Sequence, residues 1–207
     1  MKLIHLRKYL LLFFSMVLSA GLILPGCGGT TPPPTTSAPP TDTSPTGPLG
    51  FASGRYSYSQ TYNDIITVAV SNTDDTVSIG IKARTTGWVA IALSPGLNKP
   101  DSDLWIGFVS NDGQVTLLDS FNPGYSGNHP LDSILGGTNS LFAITGSEVN
   151  GITTIEFKRN LTTGDARDIR LFDGVNAFIW AIGTTDNTFE EHSFVGFGEM
   201  TISIQHG

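Results

Sequence analysis

The sequence predicts an all-β protein, an antiparallel β-sandwich with immunoglobulin-like layering, and three observations predict it. Apolar segments of strand length recur through residues 51–207. Glycine, proline and asparagine punctuate them at sandwich spacing, and nothing after residue 51 carries a 3.6-residue apolar period.

The elements follow in order. Residues 65–72 (IITVAVSN) and 76–82 (TVSIGIK) alternate apolar and polar positions around Thr73-Asp74-Asp75, as a hairpin with one solvated face does. Residues 88–93 (WVAIAL) and 104–109 (LWIGFV) are continuous apolar runs, the pattern of strands covered on both faces. Asn111-Asp112-Gly113 turns the chain into residues 114–119 (QVTLLD), a second hairpin signal. Strands are then expected over 141–148, over 152–158 beyond an Asn150-Gly151 turn, over 177–182 (AFIWAI) and over 198–204 (GEMTISI).

The segment before this block reads as an address. Lys2, His5, Arg7 and Lys8 precede an apolar run over 9–24, and Leu24-Pro25-Gly26-Cys27 closes it as a bacterial lipobox does. Residues 1–26 are therefore expected to be a lipoprotein signal peptide and Cys27 the lipidated first residue of the mature chain. Residues 27–50, rich in Thr, Pro, Ser and Gly, form an extended tether, and residues 51–207 form the folded domain. The expected location is the cell envelope, outside the cytoplasm, with the membrane reached through the lipid alone.

Composition narrows the function. Cys27 is the only cysteine, so no disulfide, thiolate metal site, CxxCH haem attachment or cysteine nucleophile remains. After Cys27 the chain carries 8 Lys and Arg against 18 Asp and Glu, which argues against nucleic acid and against a polybasic membrane contact. There is no nucleophile elbow, HExxH or phosphate loop, and no enzymatic activity is expected beyond a redox domain serving a partner oxidoreductase.

The order of motifs resembles the DOMON domain family. The resemblance rests on GWVAIALS (87–94), SDLWIGFV (102–109), DGQVTLLDS (112–120), GITTIEFKRNLTTGD (151–165) with Asp168 after it, and AFIWAIGTTDNTFEEH (177–192). It implies a β-sandwich that binds either haem b or a carbohydrate, as in the cytochrome domain of cellobiose dehydrogenase type. Its partners would be a redox protein, a quinone-linked membrane component, or a sugar.

In the haem branch the resemblance implies two axial ligands: a methionine four residues before Asp103, and a histidine at His192. Lys99 stands at the methionine position, while Met1 and Met16 leave with the signal peptide and Met200 falls in the expected closing strand. Three arrangements stay open. Lys99 ligates iron as a neutral amine; His192 ligates alone, leaving an open coordination position; or no haem binds, and a sugar or other small ligand meets Lys99, Asp101, Asp103 and the aromatic faces of Trp88, Trp105 or Trp180. His129 and His206 are expected to be exposed loop and tail residues, and Arg159 and Asp165 a local ion pair at a strand end. Asp103 is expected to cap backbone amides, and a calcium site at Asp101 and Asp103 lacks the further oxygen ligands it needs.

Overall fold

A computed structural model describes residues 45, 47–94, 96–125 and 129–204. Cys27, the signal peptide and His206 lie outside the described residues. Ten strands are described: β1 (Tyr58–Tyr62), β2 (Ile66–Asn72), β3 (Thr76–Ala83), β4 (Val89–Leu93), β5 (Ser102–Val109), β6 (Val115–Asn122), β7 (Phe142–Val149), β8 (Ile152–Asn160), β9 (Gly174–Ile182) and β10 (Phe194–Ile202). A single 3-10 turn, Asp132–Leu135, follows β6.

The strands form two five-stranded antiparallel sheets, ordered β1-β2-β3-β8-β7 and β10-β9-β4-β5-β6. The chain changes sheets after β3, β6 and β8, so neither sheet is continuous in sequence. This is the expected β-sandwich. Alternation sends Ile66, Val68, Val70, Ile79, Ile81, Ile155 and Phe157 of the first sheet inward to meet Val89, Ile91, Leu93, Trp105, Phe178, Trp180 and Met200 of the second, all buried in one core. Asn150 and Gly151 take φ of 53° and 73°, the left-handed pair that a two-residue hairpin between β7 and β8 requires.

The continuous apolar runs behave as expected, with β4 buried throughout and β5 nearly so. A second, smaller cluster on the outer face of the second sheet explains this: Trp88, Ala90, Ala92, Leu104 and Ile106, with Ile179 and Ala181 packed against it. β1 was not expected, because YSQTY offers no apolar alternation; it is a polar edge strand held by its full register to β2. β10 starts at Phe194 rather than at 198, paired throughout with β9. Leu49, within the stretch read as tether, is buried, and Arg84 donates to the carbonyls of Pro45 and Gly47 at 3.0 Å each.

Candidate functional site

The outer face of the second sheet carries a cavity of about 300 Å³ with an apolar floor. Strand register builds that floor as two rows. Val195, Ala181, Ala90 and Ile106 lie side by side across β10, β9, β4 and β5, and Phe197, Ile179, Ala92 and Leu104 form the next row. Alanine at three central positions keeps the floor low, while the larger side chains at either side raise the walls. Trp88 closes one end. Its indole fits because Gly183 has no side chain: a Cβ there would lie 2.2 Å from Trp88 Nε1. Trp88 lines the cavity, and its indole N–H is buried without a hydrogen-bond partner among the described residues.

The polar groups stand at the rim. Lys99 comes from the β4–β5 loop, His192 from the segment before β10, and His129 from the stretch beyond β6; all three line this one cavity. Lys99 and His129 are half-buried and His192 is exposed. His129 was expected in an exposed loop. Instead Phe121 N–H donates to the Pro130 carbonyl at 3.1 Å and Ser120 bridges Leu131, which lays residues 129–131 along the free edge of β6.

A chain of hydrogen bonds sets the state of the His129 ring. Ser102 Oγ donates its proton to the Lys99 carbonyl at 2.7 Å, so its oxygen is left to accept from Asn122 Nδ2 at 2.6 Å. Asn122 Oδ1 must then face His129 Nδ1, which can only donate to it. The ring is thereby held as the Nδ1–H tautomer, and among the described residues nothing hydrogen-bonds the Nε2 lone pair, the state in which a histidine ligates a metal. Burial first, and then the charges of Lys99 and His192, lower the His129 pKa to about 4, so the ring is neutral at physiological pH.

The remaining candidates fall elsewhere. Asp101 is exposed with φ of 58°, and its N–H donates to the Asn122 carbonyl at 2.7 Å; it is not among the cavity-lining residues. Asp103, Trp105 and Trp180 alternate onto the inner face and are buried in the sandwich, so of the three tryptophans only Trp88 meets the cavity. Asp103 does receive a backbone amide, Ile169 N–H at 2.9 Å. The expected Arg159–Asp165 pair is replaced by another: Arg159 Nη1 donates to Asp103 Oδ2 at 2.7 Å and Arg159 Nη2 lies 3.9 Å from Asp168 Oδ2, while Asp165 accepts the backbone amides of Thr138 and Arg167. Met200 is wholly buried in the core, on the far side of the sheet from the cavity.

Two imidazoles over a low apolar floor, with no hydrogen-bond partner for His129 Nε2 among the described residues, are donor types and a surface that suit a haem. Among the described residues no helix is long and apolar enough to cross a membrane.

Solved structures with the same fold include the cytochrome b domain of pyranose dehydrogenase from Coprinopsis cinerea (TM-score 0.53, 18% identity, 69% of this chain and 80% of that one). Another is the cytochrome domain of Myriococcum thermophilum cellobiose dehydrogenase (TM-score 0.52, 16% identity, 71% and 82%). A family 9 carbohydrate binding module from Caldicellulosiruptor kristjanssonii, in complex with glucose, is more distant (TM-score 0.38, 11% identity, 71% and 81%). No curated protein matches the chain. The DOMON domain family matches residues 60–183, from β1 to the end of β9, and with the sandwich and its motif order this places the chain in that family: it is a DOMON domain protein.

Proposed function

We propose that this protein is a haem b-binding electron-transfer domain, held outside the cytoplasm by a lipidated Cys27 and serving a redox partner rather than catalysing a reaction. The observation that carries the reading is the meeting of His192 and His129 at one apolar cavity, with His129 Nε2 left without a hydrogen-bond partner among the described residues. In this reading the two imidazoles ligate the iron, and His129 takes the role that the family resemblance gives to methionine. Lys99 is the one lysine among the described residues lining the cavity, and its compact ammonium suits a carboxylate such as a haem propionate better than the iron. Bound there, haem supplies one-electron chemistry. The chain's own contribution is to orient the imidazoles, through Asn122 on one side, and to exclude water with the two aliphatic rows and Trp88.

The test is reconstitution of purified protein with haem. A low-spin, six-coordinate spectrum with a shifted Soret band is expected, sharpening on reduction. His192→Ala should abolish it, and Lys99→Ala should leave the spin state unchanged. Free-haem spectra with the wild-type protein would overturn the reading.

Carbohydrate binding is the second reading, favoured by a cleft beside the cavity where exposed Phe197 stands with Tyr58, Gln60 and Glu199. An aromatic face with an amide and a carboxylate beside it is the equipment for stacking and orienting a sugar ring. Retardation in polysaccharide-containing gels, lost in Phe197→Ala and unaffected by His192→Ala, would establish it.

A further inference from the structure

A buried acidic cluster lies on the inner side of the second sheet, away from the haem-type cavity. Asp103 on β5 and Asp119 on β6 stand on either side of Trp105, which pairs directly with Asp119; Asp168 reaches them from the β8–β9 connection. Each carboxylate has one anchored oxygen. Asp103 Oδ2 accepts from Arg159 and from Ile169 N–H, Asp119 Oδ2 from Ser140 N–H at 2.7 Å, and Asp168 Oδ2 from the Ser140 hydroxyl at 2.6 Å. The other oxygen of each is buried and has no hydrogen-bond partner. Asp132, wholly buried on the 3-10 turn beside β6, has no hydrogen-bond partner for either oxygen among the described residues, and the charges acting on it are those of Asp119, Asp103, Asp168 and Asp165.

Among the described residues, the ion pairs of these four buried carboxylates come from one guanidinium, that of Arg159, which meets Asp103 and Asp168. Uncompensated buried carboxylate is among the most costly arrangements a fold can hold. The geometry suggests what compensates it. One oxygen from each of Asp103, Asp119 and Asp168 lies within 4.8 Å of the others. Two oxygens bound to a common calcium at about 2.4 Å are at most that far apart. The donors are all oxygen, with no thiolate or imidazole among them, which suits a hard cation rather than zinc. Magnesium demands a tighter octahedron and keeps its waters, whereas calcium accepts irregular sets of anionic oxygens.

We propose that Asp103, Asp119 and Asp168 bind one calcium ion between the sheets, with Asp132 supplying further negative charge beside it. The ion would tie β5 and β6 to the β8–β9 connection, and so brace the sheet whose outer face carries the cavity. This site is independent of the haem reading.

The test uses EDTA-dialysed protein titrated with calcium chloride in a calorimeter, followed by thermal melts with calcium, with magnesium and with EDTA. One site per chain and a melting point several degrees higher in calcium than in EDTA are expected. Asp119→Asn should weaken calcium at least tenfold; its amide oxygen can still accept from Ser140 N–H, so the fold's own bond is kept. Terbium locates the ion without touching a ligand, since Trp105 packs beside the cluster, with the Arg159 guanidinium 5.2 Å from its ring. Terbium emission excited through tryptophan should fall sharply in Trp105→Phe and be displaced by calcium. Absence of calcium binding, a response undiminished in a folded Asp119→Asn variant, or terbium emission unchanged by Trp105→Phe would each overturn the proposal.

Discussion

Arg159 Nη1 lies 2.7 Å from Asp103 Oδ2 with both side chains wholly buried, an ion pair that joins β8 of the first sheet to β5 of the second. The guanidinium also donates to the Ile169 carbonyl at 3.0 Å and stacks over Trp105. Removing the cation leaves Asp103 and Asp168 without the one ion-paired partner they have among the described residues. Arg159→Met should therefore lower stability by about 3–5 kcal/mol, the range for breaking a buried pair from one side. Urea denaturation reads this directly, and a loss below about 1 kcal/mol would refute the assignment of a structural role to the pair.

The same cluster sets the pH dependence of the metal-free protein. Burial first, then neighbouring carboxylates, push Asp119 and Asp132 up to about 7, and burial pushes Asp103 up to about 6 against the pull of Arg159. Groups with raised folded pKa values bind more protons folded than unfolded, so their contribution is full below about pH 4 and is lost as pH rises through 6–7. His129 acts oppositely: its contribution is present above about 6.5 and lost as pH falls towards 4. Three carboxylates outweigh one imidazole. The EDTA-treated protein should have a higher urea midpoint at pH 5 than at pH 8, and excess calcium should reduce that difference. The reverse order in EDTA would show that the carboxylates are not perturbed as described.

Asn122 is the residue that fixes the His129 tautomer. Asn122→Leu removes the acceptor for Nδ1–H and should weaken haem binding about 10- to 100-fold, the usual cost of losing a partner that orients a metal ligand. Asn122→Asp retains an acceptor and should recover most of the affinity. Haem titration followed by Soret absorbance distinguishes the two; equal affinity in both variants would remove Asn122 from the site.

Gly183 is required by the Trp88 indole. A Cβ at 183 would sit 2.2 Å from Nε1, and the indole is packed too closely to move without cost. Gly183→Ala should destabilise by about 1–3 kcal/mol through overpacking, and it should also disturb the cavity floor that Trp88 closes. A thermal melt and a haem titration on the same sample test both effects, and a wild-type melt would show that the indole has room to shift.

The sandwich and most of its strands were legible because strand signals are local. Alternation in residues 66–72, double burial in 88–93 and the Asn150-Gly151 turn are written within a few residues of chain, although Thr67 and Ala69, on the face of β2 expected to be solvated, are buried as well. The polar edge strand β1 and the exposed start of β10 carried no such signal. What their residues show is pairing to a neighbour, which only the assembled sheet supplies.

The site divides along the same line. Family order alone pointed to Lys99 and His192 as neighbours, and both line the cavity. Which tryptophan faces outward depended on register: Trp105 and Trp180 turn into the core while Trp88 closes the cavity. His129 and the carboxylate cluster were beyond the sequence for a further reason. His129 reaches the cavity through the loop that pairs with the edge of β6, and Asp103, Asp119 and Asp168 meet only because β5, β6 and the β8–β9 connection converge. By itself the sequence determined the all-β class and the family, through local periodicity and motif order. Tertiary structure decided which charged and metal-ligating side chains share a site, because long-range pairing brings together residues that no spacing along the chain relates.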